Sequence, residues 1–241
     1  ISRFSGEYKD GSLTMLQRLQ TKLGGKERKA DDFDAAFGFG RQAFEAAQEI
    51  KKTLDSGNRS GLSAEETARL KREWTNLLHE AARNFELSVG LIGRKDNKKD
   101  VLSARLMFAY TNFYLRRNYD AAVLAQFVAK TAGDSNEADS VALDAAYIAM
   151  AAFVQAYNDL RVEPDKKIDD MRLIIGAANV IAERWPESEK ANEARMVLGQ
   201  LYKAGKKPIE AAEWFKKVPE GDPKYPEAQL AAGQAFWGAY G

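Results

Sequence analysis

Few residues of this chain could do catalytic or metal chemistry. It has one histidine, His79, and no cysteine, which excludes disulfides, iron–sulfur clusters, thiolate nucleophiles and cysteine zinc sites. His79 and Glu80 begin the zinc-binding helix pattern H-E-x-x-H, but Arg83 stands where the second histidine must lie. We interpret His79 as a solvated helix residue, and we assign no catalytic residue, no metal site and no cofactor.

Two glycine-containing segments partly match nucleotide-binding motifs. The segment Gly38–Ala43 (GFGRQA) spells a dinucleotide-binding fingerprint, which needs a preceding strand so that pyrophosphate meets free amides at a helix start. Here the glycines lie inside an apolar helical stripe from Phe33 to Leu54, so we interpret them as sites of close helix packing. The segment Gly24–Lys26 (GGK) lacks the other residues of a phosphate loop and indicates a helix end.

Acidic and basic residues are balanced, with 36 basic and 35 acidic side chains and a formal net charge of +1. No overall field therefore attracts nucleic acid, and we interpret the basic run Arg94–Lys99 as a solvated loop. Adjacent carboxylates lie near predicted helix starts, where they complement the helix dipole by about 0.3–1 kcal/mol each. These pairs are Asp31-Asp32, Glu65-Glu66 and Asp169-Asp170. A carboxylate pair for glycoside chemistry stays open, but nothing in the sequence selects one.

Apolar residues recur with a helical period along the chain, which predicts an all-α protein. Residues 1–96 are interpreted as an N-terminal region of long helices forming a hairpin, with a capping box at Ser63 and Glu66. Its predicted elements are a short helix from Ser12 to Leu23, a helix from Asp31 to Leu54, a loop from Asp55 to Gly61 and a helix from Ser63 to Ile92.

Residues 97–241 are predicted to be helical repeats that continue the same solenoid. The first helices are predicted at Lys99–Arg117, Tyr119–Ala132, Glu137–Asp159 and Asp165–Arg184. We interpret the first pair as a degenerate repeat in which Tyr110 replaces a small residue. No apolar run reaches the roughly 18 residues that a membrane span needs, so we expect no membrane insertion.

A short phrase repeats near the end of the chain. Leu198–Tyr202 (LGQLY) recurs as Ala232–Phe236 (AGQAF), 34 residues later (232 − 198). Between them, Ala211, Phe215 and Pro223 follow Gly199 at the spacings of a two-helix repeat. The segment resembles the tetratricopeptide repeat family, with Arg195 where a large aromatic residue is usual. In physical terms the small Gly199 and Ala211 let two helices approach closely, while larger side chains fill the space beside them.

The resemblance implies a right-handed solenoid of antiparallel helix hairpins and a non-catalytic scaffold that binds a peptide or protein partner in a concave groove. The alternative is a structural segment of a longer solenoid that assembles with other domains or copies. Residues 184–241 are also similar to tetratricopeptide scaffolds of the bacterial cell envelope, which favours a periplasmic or other envelope location over the cytoplasm. Phe236, Trp237 and Tyr240 favour end-to-end contact through the apolar C-terminal helix.

In the family, one face of the first helix in each repeat lines the groove. On this chain that face carries Glu193, Met196, Gln200 and Lys203, and 34 residues later Glu227, Leu230, Gln234 and Trp237. Amide and charged groups there could bind an extended peptide backbone, with apolar contacts from the larger side chains. An ordinary solvated helix face is the alternative. The corresponding face of the earlier pair is predicted to carry Met107, Thr111 and Tyr114.

Overall fold

The computed structural model of the chain describes residues 30–132, 136–159 and 164–240. Within this part the secondary structure is entirely helical, which confirms the all-α prediction. The nine helices are α1 (Phe33–Ser60), α2 (Ala64–Gly90), α3 (Lys98–Tyr114), α4 (Asn118–Thr131), α5 (Asn136–Tyr157), α6 (Pro164–Arg184), α7 (Glu189–Ala204), α8 (Pro208–Lys216) and α9 (Tyr225–Tyr240). All lie in the compact unit Asp32–Gly241, whereas the predicted helix from Ser12 to Leu23 lies outside the described residues.

Helices α1 and α2 form a hairpin around an aromatic core. Phe33, Phe37, Phe44 and Ala47 of α1 are buried together with Leu78, Ala81 and Phe85 of α2. The Phe85 ring lies so close to Gly40 that a Cβ atom built on Gly40 would be 2.6 Å from its Cδ1 atom. Gly40 therefore serves helix packing, as its place in the apolar stripe predicts. The same prediction is wrong for Gly38, where an added Cβ atom would meet nothing within 4 Å.

The predicted loop from Asp55 to Gly61 is wrong, because α1 continues to Ser60. Side-chain bonds within the helix support the extra turns: Lys51 Nζ contacts Asp55 Oδ2 at 2.7 Å, one helical turn away. Gly61 then adopts a φ of +81°, which glycine tolerates and which ends the helix. The capping box at Ser63 and Glu66 opens α2 as predicted.

Each described helix packs against the next one along the chain. Contacts also join α1 to α3, α3 to α5 and α5 to α7, so alternate helices lie side by side. The predicted division near residue 96 falls in the connection between α2 and α3, and residues 32–96 belong to the same compact unit as residues 97–241.

Helix α5 lies at the centre of the largest core cluster, with Ala142, Ala145, Met150 and Phe153 buried against neighbouring helices. Among the described helices, only its stretch Asp139–Tyr157 is long and apolar enough to cross a membrane, with 19 residues and a mean hydropathy of 1.3. Half of that stretch is buried inside the protein. This stretch corrects the expectation that no apolar run reaches the length of a membrane span. Its buried half belongs to the protein core.

The α3–α4 and α7–α8 hairpins are structural repeats with a separation of 90 residues (206 − 116). Arg116 and Lys206 both have a φ of 57°, and each turn is closed by an amide-to-carbonyl bond of 2.9 Å, from Arg117 to Asn112 and from Lys207 to Tyr202. The buried residues of α4 (Ala121, Ala122, Ala125 and Val128) match those of the second hairpin at the same separation (Ala211, Ala212, Phe215 and Val218).

This register corrects the interpretation of Tyr110 as the residue in the small-residue position. At a separation of 90 residues, Ala109 corresponds to Gly199, and Ala125 corresponds to Phe215 (199 − 109, 215 − 125). Ala109 and Ala125 are both fully buried in one cluster. One hairpin thus uses glycine opposite phenylalanine, and the other uses alanine opposite alanine.

Candidate partner-binding face

We call the surface formed by α3, α5, α7 and α9 the odd-helix face. Three side-chain hydrogen bonds join α5 to α7 and to the connection before α7, each between residues 46 apart. Trp185 Nε1 donates to Asp139 Oδ2 at 2.7 Å, Lys190 Nζ donates to Asp144, and the Tyr147 hydroxyl donates to Glu193. Because the separation is constant, α5 and α7 run in the same direction in fixed register.

Helix α7 is joined to α9 and to the segment before it by a second set of polar contacts. Lys224 Nζ lies 3.1 Å from Glu193 Oε1, and Lys203 Nζ donates to Gln234 Oε1 at 3.3 Å. Asn192 Nδ2 donates to Asp222 Oδ2 at 2.7 Å. The pKa of Asp222 is lowered, first by the backbone N–H of Lys224 and also by Asn192. The odd-helix face therefore carries a continuous polar ribbon from α5 to α9.

Two tyrosines on this face keep their protons well above neutral pH. Burial, and then the charge of Asp144, raise the pKa of Tyr110 to about 12. The pKa of Tyr147 is raised first by burial and next by its hydrogen bond to Glu193. Both phenols thus act as hydrogen-bond donors at neutral pH rather than as bases or nucleophiles.

Most of the predicted groove residues of α7 and α9 are exposed. These are Gln200, Lys203, Glu227, Gln234 and Trp237, with Leu230 beside them. Trp237 is the most open of the exposed large apolar residues, with 83% of its surface accessible. Glu193 is half-buried and already engaged by Tyr147 and Lys224.

Met196 does not offer the apolar contact that the sequence predicts. Its side chain is only 6% exposed and packs with residues of α8 and α9, among them Phe215 and Ala232. The spacing of three and four residues places Met196 correctly on α7. This spacing alone could not indicate that α8 and α9 cover the Met196 side chain.

Thr111 and Tyr114 are also packed inside the protein. Thr111 is fully buried, and its hydroxyl donates to the carbonyl of Met107 at 2.7 Å. Tyr114 packs edge-on against Trp74, with ring centroids 6.0 Å apart. The register of 90 residues explains this correction, because Tyr110 rather than Thr111 or Tyr114 corresponds to Gln200 (200 − 110).

The sequence interpretation missed Asp144, Tyr147 and Lys190, which form the centre of the polar ribbon. A signal for them exists: Asp144 and Tyr147 are three residues apart, as are Lys190 and Glu193, so each pair shares a helix face. Recognising the partners would have required the register between α5 and α7, which the irregular middle of the chain does not reveal.

His79 and one of the adjacent carboxylates considered for catalysis can be placed in the structure. His79 is exposed on α2, as expected of a solvated helix residue. Asp170 is buried and accepts a 2.8 Å hydrogen bond from the Tyr119 hydroxyl, so it joins α6 to α4. In the described part of the chain, no group of three or more His, Asp or Glu residues could hold a metal ion.

The described surface has one further notable cleft, of about 230 Å³, between α3 and α4. Arg105, Val123, Leu124 and Phe127 line it, and the Arg105 guanidinium lies over the Phe127 ring at 4.6 Å. Its lining is almost wholly apolar and includes no pair of groups suited to acid–base chemistry.

Comparison of the chain with protein-family models, with curated proteins and with solved structures finds no match. The similarity to tetratricopeptide repeats therefore depends on the residues of the C-terminal hairpins and on their packing.

Proposed function

We propose that this chain is a non-catalytic scaffold that binds a peptide or protein partner along the odd-helix face. We further propose that its hairpins form a right-handed solenoid of the tetratricopeptide type. The backbones of α1 and α3, of α3 and α5, and of α5 and α7 approach one another. By contrast, α4 and α6 are joined through long side chains, such as Tyr119 to Asp170 and Arg184 to the carbonyl of Ala129. Because these odd-numbered helices lie closer together than α4 and α6 do, the array should curve towards them, which favours a concave odd-helix face.

The observation that carries the proposal is the row of exposed amide and charged groups held at fixed spacing beside the polar ribbon. Gln200, Lys203 and Gln234 lie on two helices that the ribbon aligns, and Lys203 contacts Gln234 directly. Amide side chains both donate and accept, so such a row suits the backbone of an extended peptide. Helices whose alignment is fixed in advance also lower the ordering cost of binding.

The proposal is tested by selecting binders from a displayed library of random peptides on the folded chain. Peptides that bind should lose affinity by about tenfold or more when Gln200→Ala, Lys203→Ala and Gln234→Ala are combined, because these groups would contact the peptide. Circular dichroism and chemical unfolding check that the triple variant keeps its fold.

The matched control is Asp169→Ala with Arg172→Ala, an exposed ion pair on α6 that is away from the odd-helix face. It should leave the affinity unchanged. If no peptide is selected, or if selected peptides bind the triple variant as tightly as the unaltered chain, this face is not the binding site.

A second candidate function is assembly with another helical unit through α9. It is favoured by one observation: Leu230 and Trp237 are largely exposed on α9, seven residues and two helical turns apart. Large exposed apolar residues on one helix face are typical of an interaction site.

A further inference from the structure

Helix α7 has two buried faces. The residues of both faces have counterparts on α9, 34 residues later in the sequence. One face of α7 packs towards the preceding helices through Ala191, Ala194, Leu198 and Leu201. The corresponding residues of α9 (Tyr225, Ala228, Ala232 and Ala235) pack in the same way on α7 and α8. The two helices are therefore equivalent in packing on this face.

The other face is covered on α7 and open on α9. Met196 is 6% exposed, whereas the corresponding Leu230 is 65% exposed. A Cβ atom built on Gly199 would be 2.6 Å from Cδ1 of the Phe215 ring, whereas one built on Gly233 would meet nothing within 4 Å. Gly233 thus presents the same close-packing position as Gly199, without a ring against it.

The helix that covers α7 indicates the chemistry that would cover α9. Helix α8 places Phe215 on Gly199, with the small Ala211 and Ala212 one turn earlier, all three buried. After it, Lys224 pairs with Glu193 at 3.1 Å. The residue equivalent to Glu193 is Glu227, which is exposed (227 − 193 = 34).

We propose that the face of α9 formed by Glu227, Leu230, Gly233 and Trp237 binds an amphipathic helix of a partner protein. The bound helix carries an aromatic ring that lies on Gly233, two small residues one turn before it, and a cation after the helix that pairs with Glu227. The exposed Trp237 ring extends the contact at its edge. This inference rests on the second candidate function, and it names the occupant.

Among the described residues, a second copy of the chain offers no accessible helix of this kind. Where two small residues lie one turn before an aromatic ring, at least one of them is buried, as are Ala36, Ala81, Ala211 and Ala232. The residues of α8 that would fit are buried against α7 in the folded protein. On α4, the exposed Phe127 is preceded one turn earlier by Val123 and Leu124, which are too large to lie close to another helix.

The test uses a lactam-bridged peptide of residues 206–218, which repeats the α8 sequence and is shown to be helical by circular dichroism before use. Binding to the full chain is followed by fluorescence anisotropy. We expect saturable binding that weakens by about tenfold or more when the peptide carries Phe215→Ala or when the chain carries Gly233→Leu. The second substitution is accommodated in the free protein, because Gly233 has no neighbour within 4 Å.

The matched control in the chain is Gly176→Leu, since Gly176 is also an exposed helix glycine with nothing within 4 Å, but lies on α6. It should not change the affinity. Failure of the helical peptide to bind, or equal binding by Gly233→Leu and the unaltered chain, would overturn the docking site. Light scattering that shows a dimer lost on Gly233→Leu would instead assign this face to a second copy. None of these outcomes depends on Gln200 or Lys203, so peptide binding along α7 is tested separately.

Discussion

Gly40 and Gly199 have the same role in two different hairpins, since each lets a phenylalanine ring of the next helix lie against its backbone. A Cβ atom at either position would be 2.6 Å from a ring carbon, of Phe85 in one case and of Phe215 in the other. Glycine is a poor helix former, by about 1 kcal/mol relative to alanine, so its presence at these positions reflects packing.

Gly199 and Gly233 occupy equivalent positions of the repeat, but only Gly199 has a ring against it. Alanine is therefore expected to change the free energy of unfolding with opposite signs at the two positions. Gly199→Ala should lower the free energy of unfolding by about 1–3 kcal/mol, because the added methyl forces the Phe215 ring away. Gly233→Ala should raise it by up to about 1 kcal/mol, because helix propensity improves and nothing is displaced. Urea unfolding of both variants measures the two signs. A stabilised Gly199→Ala variant would show that α7 and α8 are not in close contact.

Individual residues also show how far the sequence could predict the site. The repeat predicted that Gly199 and Ala211 allow close helix packing and that Phe215 fills the space beside them, whereas the Phe215 ring lies on Gly199 itself. It could not separate Gln200, which is exposed, from Met196, which is buried. Both positions share one stripe on an isolated helix, and only the packing of α8 and α9 distinguishes them.

At the scale of elements, short sequence signals determined the helix starts better than the ends. Ser63 and Glu66 mark the start of α2 because each side chain bonds the other's backbone N–H. The end of α1 was predicted too early, because glycine, serine and asparagine after Leu54 are typical of loops. The link between α5 and α7 left no periodic signal, since its pairs are 46 rather than 34 residues apart.

The hydrogen bond between Tyr147 of α5 and Glu193 of α7 predicts how the free energy of unfolding depends on pH. The pKa of Tyr147 lies above its ordinary value of 10.0 in the folded protein, because of burial and the bond to Glu193. The unfolded chain therefore loses this proton first, and its stabilising effect is present below pH 10 and is lost as pH rises above it. The free energy of unfolding should fall above pH 10, and fall less steeply in Tyr147→Phe.

Urea unfolding at a series of alkaline pH values, with phenolate absorbance as a second readout, measures this effect. Glu193→Gln serves as the companion variant, because removing its charge should lower the pKa of Tyr147 while the phenol remains. An identical pH dependence in Tyr147→Phe and the unaltered chain would show that the bond between α5 and α7 does not form in solution.

At the scale of the whole molecule, packing along the helix array is uneven. Helix α5 contacts α3, α4, α6 and α7, and its buried residues belong to the largest core cluster. Helix α9 packs mainly on α8, and one of its faces is open at Leu230 and Gly233. In an array where each element is stabilised by its neighbours, the element with fewer contacts opens at lower free energy.

Hydrogen exchange followed by mass spectrometry should therefore show the slowest amide exchange in α5 and the fastest in α9, with α7 between them, because protection follows the number of covered faces. Gly233→Ala should slow exchange in α9 and leave α5 unchanged, since it improves helix propensity without adding a contact to the core. Addition of the helical α8 peptide should protect α9 further if it occupies the open face. Equal protection of α5 and α9 in the free chain would contradict this gradient and indicate that the helices unfold as one cooperative unit.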